Sequence, residues 1–244
     1  MNDTQQTENP LAQNFTIKSL LKFAFPTIFM MIFMGLYTIA DTIFVARFVN
    51  TNALSALNIV CPVINLIVGF GTMLAAGGSA VIARQMGAGE HVRAAQDFTL
   101  IVCAGALSGV LIAVLGTVFI DRIVGRLEAG SILFPYCKEY LFILLLFTPA
   151  GILQVLFQNL IVTAGRPKTG MVLGVSAGIA NILLDYIFMV PLQMGIKGAA
   201  FGTGIGYMIP AVTGLLFFSS KKCTLHFRKP VMDISLLTES CANG

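Results

Sequence analysis

From residue 17 to residue 219 the chain alternates long apolar stretches with short polar breaks. Six stretches stand out, at residues 17–50, 53–83, 98–120, 137–163, 169–192 and 198–219. Each reaches the ~20 residues that an α-helix needs to cross a bilayer. The first two exceed that length, so tilt, kinks or ends projecting beyond the lipid are expected. Pro26 in the first stretch and Pro149 in the fourth each remove a backbone hydrogen bond and should bend their helices. The breaks carry turn chemistry, as in Gly87-Ala88-Gly89 and Gly165-Arg166-Pro167. Short links make successive helices antiparallel neighbours. The pattern therefore predicts an all-α membrane protein, a polytopic bundle of six transmembrane helices. A polar tail (1–16) precedes a single six-helix lobe (17–220) and a connector (221–244) follows it.

Composition agrees. Hydrophobic residues make up 57% of the 244, charged residues 11%, and the mean hydropathy is +0.87. A water-facing surface needs roughly a quarter charged residues, so lipid must be the main solvent. The net charge of +4 comes from residues between the apolar stretches, where they anchor and orient helices, and nucleic acid is excluded as a partner. With the N-terminus inside, Lys18, Lys22, Arg84, Arg93, Arg166, Lys168, Lys221, Lys222, Arg228 and Lys229 are cytoplasmic. Arg47, Arg122, Arg126, Lys138 and Lys197 are then external, which accounts for all 15 basic residues. The imbalance predicts a multi-pass protein of the cell (plasma) membrane with both termini in the cytoplasm. Residues 1–13 have none of the features of a secretory signal, so the first stretch is expected to persist as a span. Cys61, Cys103, Cys137, Cys223 and Cys241 are scattered, and His91 and His226 stand alone. No metal, cofactor or disulfide framework is expected, and no arrangement of nucleophile and base suggests an enzyme.

Candidate chemistry sits inside the spans. Of 11 acidic residues, Asp41 and Asp185 are read as the two within apolar stretches. A carboxylate in the membrane is costly and usually lines a wet cavity or binds an ion; the competing reading is a hydrogen bond that braces two helices. Counting back from the outer ends at ~1.5 Å per residue puts both acids roughly 9–14 Å below the outer boundary. Thr203 falls at similar depth, and Asn181, four residues before Asp185, shares its helix face. Gly170, Gly174 and Gly178 continue that face, while Gly198, Gly202 and Gly206 form a second small-residue stripe, so the fifth and sixth spans should approach closely. Two acids brought together in a poor dielectric cannot both ionise cheaply, so a proton or a cation is required. Carboxylates, an amide carbonyl and a hydroxyl suit Na+ or H+. Phe29, Met30, Met31, Phe33, Met34 and Tyr37 form an adaptable apolar wall on the first span, and Gln154, Gln158 and Asn159 on the fourth could line a cavity. Gly202-Thr203-Gly204-Ile205-Gly206 has neither the preceding strand nor the lysine of a nucleotide loop.

Several local motifs carry a resemblance. They are Pro26 with Ala40-Asp41-Thr42, the run from Ala83 to Gly89, Gln158-Asn159 through Lys168, the run from Asn181 to Asp185, and the run from Gly198 to Gly204. Together they resemble the N-terminal lobe of the multidrug and toxic compound extrusion (MATE) family, in its DinF-like branch and near its MepA-type exporters. The resemblance implies one lobe of a twelve-helix antiporter, with a missing C-terminal lobe as partner and with 221–244 containing the start of a truncated second lobe, where Asp233 caps a helix. It implies a cation or proton site at Asp41, Asn181, Asp185 and Thr203, bending of the first helix at Pro26, and cavity residues that include Tyr37, Tyr140 and Gln158. The function implied is export of amphipathic, often cationic, small-molecule drugs in exchange for Na+ or H+. A lipid-linked oligosaccharide flippase of the same superfamily would be expected to carry basic residues in its cavity, and these spans have almost none. A half-lobe that acts only in assembly is the third reading.

Overall fold

The computed structural model describes residues 17–220, 225–230 and Ser240, and for residues 17–20, 22 and 23 the backbone alone. The tail 1–16, most of the connector and the expected cap at Asp233 lie outside the described residues. Among the described residues seven helices follow one another: α1 (Ile17–Phe48), α2 (Thr51–Gly87), α3 (His91–Val118), α4 (Ile120–Arg126), α5 (Phe134–Thr163), α6 (Pro167–Met189) and α7 (Ile196–Ser219). All but α4 are long and apolar enough to cross a membrane, and the six predicted spans are present.

The turns form as their glycines require. After α2, Gly89 takes φ +80°, the Glu90 N–H donates to the Gln85 carbonyl and the Gly89 N–H to that of Met86. Gly165 (φ +77°) closes α5 in the same way, with the Arg166 N–H on Ile161 and the Gly165 N–H on Val162. This left-handed cap satisfies the last carbonyls of a helix and turns the chain back. Pro167 then occupies the first turn of α6, where a missing N–H costs nothing. Asn50 starts α2 by accepting the Ala53 N–H at 2.7 Å.

Two elements differ from the sequence reading. α3 begins at His91, seven residues before the expected start of its span. Its polar first turns are anchored by Asp97, whose Oδ2 accepts from Gln85 Nε2 of α2 at 2.6 Å while both side chains are buried. α4 was not anticipated. It is a single amphipathic step whose Ile120 and Val124, four residues apart, turn into the core.

α5 is the central post, packed against α2, α3, α6 and α7, and α6 lies between α1 and α7. Apolar side chains collect in two clusters. One gathers Val45, Val60, Leu141, Leu145, Ala199 and Ala200; the other gathers Leu74, Phe98, Ile101, Leu156, Phe157 and Phe218. Along α5 the first ends at Leu145 and the second begins at Ile152. Between them lie Thr148, Pro149 and Gly151, and here the bundle opens internally. Beyond α7 the chain folds back on α3. Leu225 is buried, the Phe227 ring lies 5.1 Å from that of Phe98, and the Arg228 N–H donates to Thr99 Oγ1 at 3.1 Å.

Candidate ion and substrate site

The four residues of the expected ion site come together. Asp41 projects from α1, Asn181 and Asp185 from α6, and Thr203 from α7. The two carboxyl groups lie within hydrogen-bonding reach of each other. In the amide orientation that satisfies both of its ends, Asn181 donates to Asp185 Oδ2 at 3.3 Å and accepts the Thr203 N–H at 3.2 Å. Asp185 is fully buried and Asn181 nearly so. Asp41 Oδ1, Asp185 Oδ1 and Thr203 Oγ1 are buried with no protein partner among the described residues. Three unsatisfied oxygens in one place suit a small hard cation or a proton, since buried polar atoms are otherwise paired.

Glycines make the approach possible. A Cβ on Gly202 would overlap Asp185 Oδ1, and one on Gly206 would meet Asn181 Cβ at 3.3 Å. This is the expected close contact of the fifth and sixth spans, α6 and α7. The expectation for Gly178 needs correction, because it faces α1. A Cβ there would lie 2.7 Å from Phe33 Cε1 and 3.2 Å from Tyr37 Cδ1, and one on Gly174 would lie 2.7 Å from Met30. Gly174 and Gly178 of the α6 stripe therefore receive α1, Gly170 faces α5 near Val162 and Ile161, and α7 supplies the glycines that receive α6.

Two cavities adjoin this cluster. A polar pocket of about 10 Å³ is lined by Asn181, Thr203, Gln154, Gln158, Tyr37 and Tyr207, among others. That is about the room one water or small ion occupies. Asp41 and Asp185 lie outside its wall, and Asn181 links Asp185 to it. A mostly apolar cavity of about 120 Å³ lies between α1, α2, α5 and α7, with Met34, Tyr37, Ile67, Leu144, Gln154 and Tyr207 in its wall. Of the cavity residues expected from sequence, Met34, Tyr37 and Gln154 line both spaces and Gln158 the polar one. Tyr140 lines neither; it is buried in the apolar cluster near Val45 and Leu141. Asn159 braces its own helix by donating to the Val155 carbonyl at 2.9 Å. Phe29 and Met31 face outward. Pro26 is buried inside α1. Tyr207 was missed; its signal was its place four residues after Thr203, on the same face of α7.

Fold and site together define a six-span helical membrane bundle with a polar centre. The sequence model of the MatE family matches residues 26–187. The chain belongs to the MatE family. It is 28% identical over 210 residues to the multidrug export protein MepA of Staphylococcus haemolyticus, covering 86% of this chain and 46% of that protein. With MepA of Staphylococcus saprophyticus it shares 22% identity over 221 residues, covering 89% and 49%. Its fold matches an outward-facing multidrug resistance MATE family transporter with a TM-score of 0.88 at 22% identity, over 96% of this chain and 52% of the other. The chain thus spans about half the length of the curated relatives it matches.

Proposed function

We propose that this chain forms the first half of a cation-coupled exporter of amphipathic small molecules in the plasma membrane, with both termini in the cytoplasm. The observation that carries the reading is the Asp41–Asp185 pair, with Asp185 held by Asn181 and Asp41 on the same helix, α1, that walls the apolar cavity with Met34 and Tyr37. Two unit charges ~4 Å apart repel by about 4 kcal/mol at an effective dielectric of 20. Na+ or H+ relieves that repulsion, so the pair acts as a loadable site for one positive charge. The ion moves inward as the drug moves outward, and alternating access about a central site links the two. α1 contributes Asp41 to the ion site and Met34 and Tyr37 to the cavity. Bending of α1 at Pro26 would therefore alter both at once. The cavity is smaller than the ~300–1,000 Å³ of small-molecule sites, so a drug needs further wall, which a C-terminal lobe would supply. Among the described residues no Lys or Arg lines either cavity, which disfavours a pyrophosphate-bearing lipid as substrate.

Drug efflux driven by an imposed sodium or pH gradient in vesicles tests the reading. Asp41→Asn and Asp185→Asn should each abolish driven efflux and leave expression near normal, because the amide keeps the shape and loses the charge. Wild-type transport by both variants would refute the site. Comparing the 244-residue chain with one carrying a second lobe separates transport from a role in assembly alone.

A further inference from the structure

Met34, Tyr37, Gln154 and Tyr207 line both the polar pocket and the apolar cavity, so these four side chains form the partition between them. Three reach it from α1 and α5; Tyr207 comes from α7. It also has a place made for it. A Cβ on Gly151 of α5 would lie 3.2 Å from Tyr207 Cδ2, 3.4 Å from Cε2 and 3.8 Å from Cγ. The ring is thus laid across α5 at a point where no side chain projects. One turn earlier on the same face of α7, the Thr203 N–H is held by Asn181. The residue before it, Gly206, packs on Asn181 itself. Over a single turn α7 therefore touches the ion site at Thr203 and Gly206 and the apolar cavity at Tyr207. The titratable groups that bear on the Tyr207 phenol are Tyr37 and Asp41 of α1 and Tyr140 of α5.

We infer that Tyr207, seated on Gly151, is the positioning residue that transmits ion occupancy to the drug cavity. The inference rests on the function proposed above. A helical turn is stiff, so a change in how closely α7 approaches Asn181 and Asp185 displaces Tyr207 across its glycine seat. That displacement changes the width of the apolar cavity. The cavity wall presents the aromatic rings of Tyr37 and Tyr207.

The test uses full-length protein in nanodiscs, with ethidium as the probe. Ethidium affinity is measured by fluorescence with and without saturating Na+, and at low and high pH, while ion affinity is measured separately by calorimetry. In the wild type the ion should change the ethidium Kd by about 5- to 150-fold, the usual range of coupling between two sites. Tyr207→Leu should bring that ratio to near one, and Tyr207→Phe should restore it, since the ring carries the effect. Gly151→Ala, whose Cβ crowds the ring, should also lower the ratio and weaken ethidium binding without weakening the ion. A Tyr207→Leu protein that keeps the wild-type ratio overturns the inference and leaves the proposed function standing. Loss of ion binding in that variant overturns it as well, because Tyr207 would then belong to the ion site. A wild type whose ethidium affinity ignores both ions overturns the proposed function and the inference together. If Tyr207→Leu does not fold, Gly151→Ala decides alone, and an unchanged ratio in it refutes the mechanism.

Discussion

Gly202→Ala adds one methyl group at the tightest point of the proposed ion site. The new Cβ would overlap Asp185 Oδ1, lie 3.0 Å from its Cγ and 3.2 Å from its backbone nitrogen. The backbone nitrogen belongs to α6 and cannot retreat unless the helix moves, so the carboxyl group must swing aside. It then leaves the Asn181 amide and turns away from Asp41. Overpacking of this kind costs roughly 1–3 kcal/mol. If the cost falls on the site, ion affinity should drop by about 5- to 150-fold, since ~1.4 kcal/mol is a factor of ten. If the helices separate instead, the same cost appears as a lower Tm. Gly35→Ala and Gly69→Ala are the matched controls, because nothing lies within 4 Å of a Cβ at either position. Both should be neutral, or stabilising by roughly 0.5–1 kcal/mol through better helix propensity. Thermal unfolding in detergent with and without Na+, together with ion-driven ethidium efflux from proteoliposomes, separates the outcomes. A Gly202→Ala protein with wild-type Tm and wild-type ion dependence would show that Asp185 is not pressed against α7 and would remove the basis of the site.

Three further outcomes are expected. Thr203→Val should weaken ion coupling without abolishing it, as judged by gradient-driven efflux, because it removes one unpartnered oxygen and keeps the backbone bond to Asn181. Asp97→Ala should lower stability by about 1–3 kcal/mol in thermal unfolding, the usual cost of taking away a buried partner, while ion affinity stays unchanged. In a cysteine-free background, single cysteines at the exposed positions of His91 and Arg166 should react with impermeant reagents from the cytoplasmic side and one at Glu128 from outside. The reverse pattern would invert the topology.

Much of the fold was legible because lipid imposes a simple code, in which a run of apolar residues long enough to span is a helix. The same code hid whatever lies at the lipid boundary. The first turns of α3 contain Gln96 and Asp97 and fail a hydropathy test, yet they are helical because Gln85 of α2 supplies a buried partner. Reading acids by their distance into apolar runs therefore placed Asp97 in a connector. α4 is too short for that test and shows itself through Ile120 and Val124. The juxtaposition of Asp41, Asp185 and Thr203 was legible from depth, since the three could be counted to one level from three separate helix ends. Direction around the helix axis was harder. Gly178 was assigned to the contact with the sixth span, but it lies beneath Phe33 and Tyr37 of α1. A glycine stripe says that something approaches closely and does not name it.

That ambiguity bears on how the lobe is built for movement. Met30, Phe33 and Tyr37 of α1 rest on the glycines of α6, so a thioether and two rings lie over a surface without side chains. Such contacts hold by area and have no interlocking knobs, which lets one helix slide or tilt on another at small cost. The polar bonds, by contrast, join α6 to α7 through Asn181 and Thr203. α6 and α7 are therefore the more firmly joined pair, free only for small adjustments at Asn181, and α1 should be the loosely held partner that carries Asp41 toward or away from Asp185. α1 is also the span with the most outward-facing side chains, Leu36, Ile39 and Ile43 among them. Removing one hydrogen bond at Pro26 adds compliance to the helix that is least restrained. On the proposed function, any motion of α1 that assembles the carboxylate pair should also carry Met34 and Tyr37 along the cavity wall.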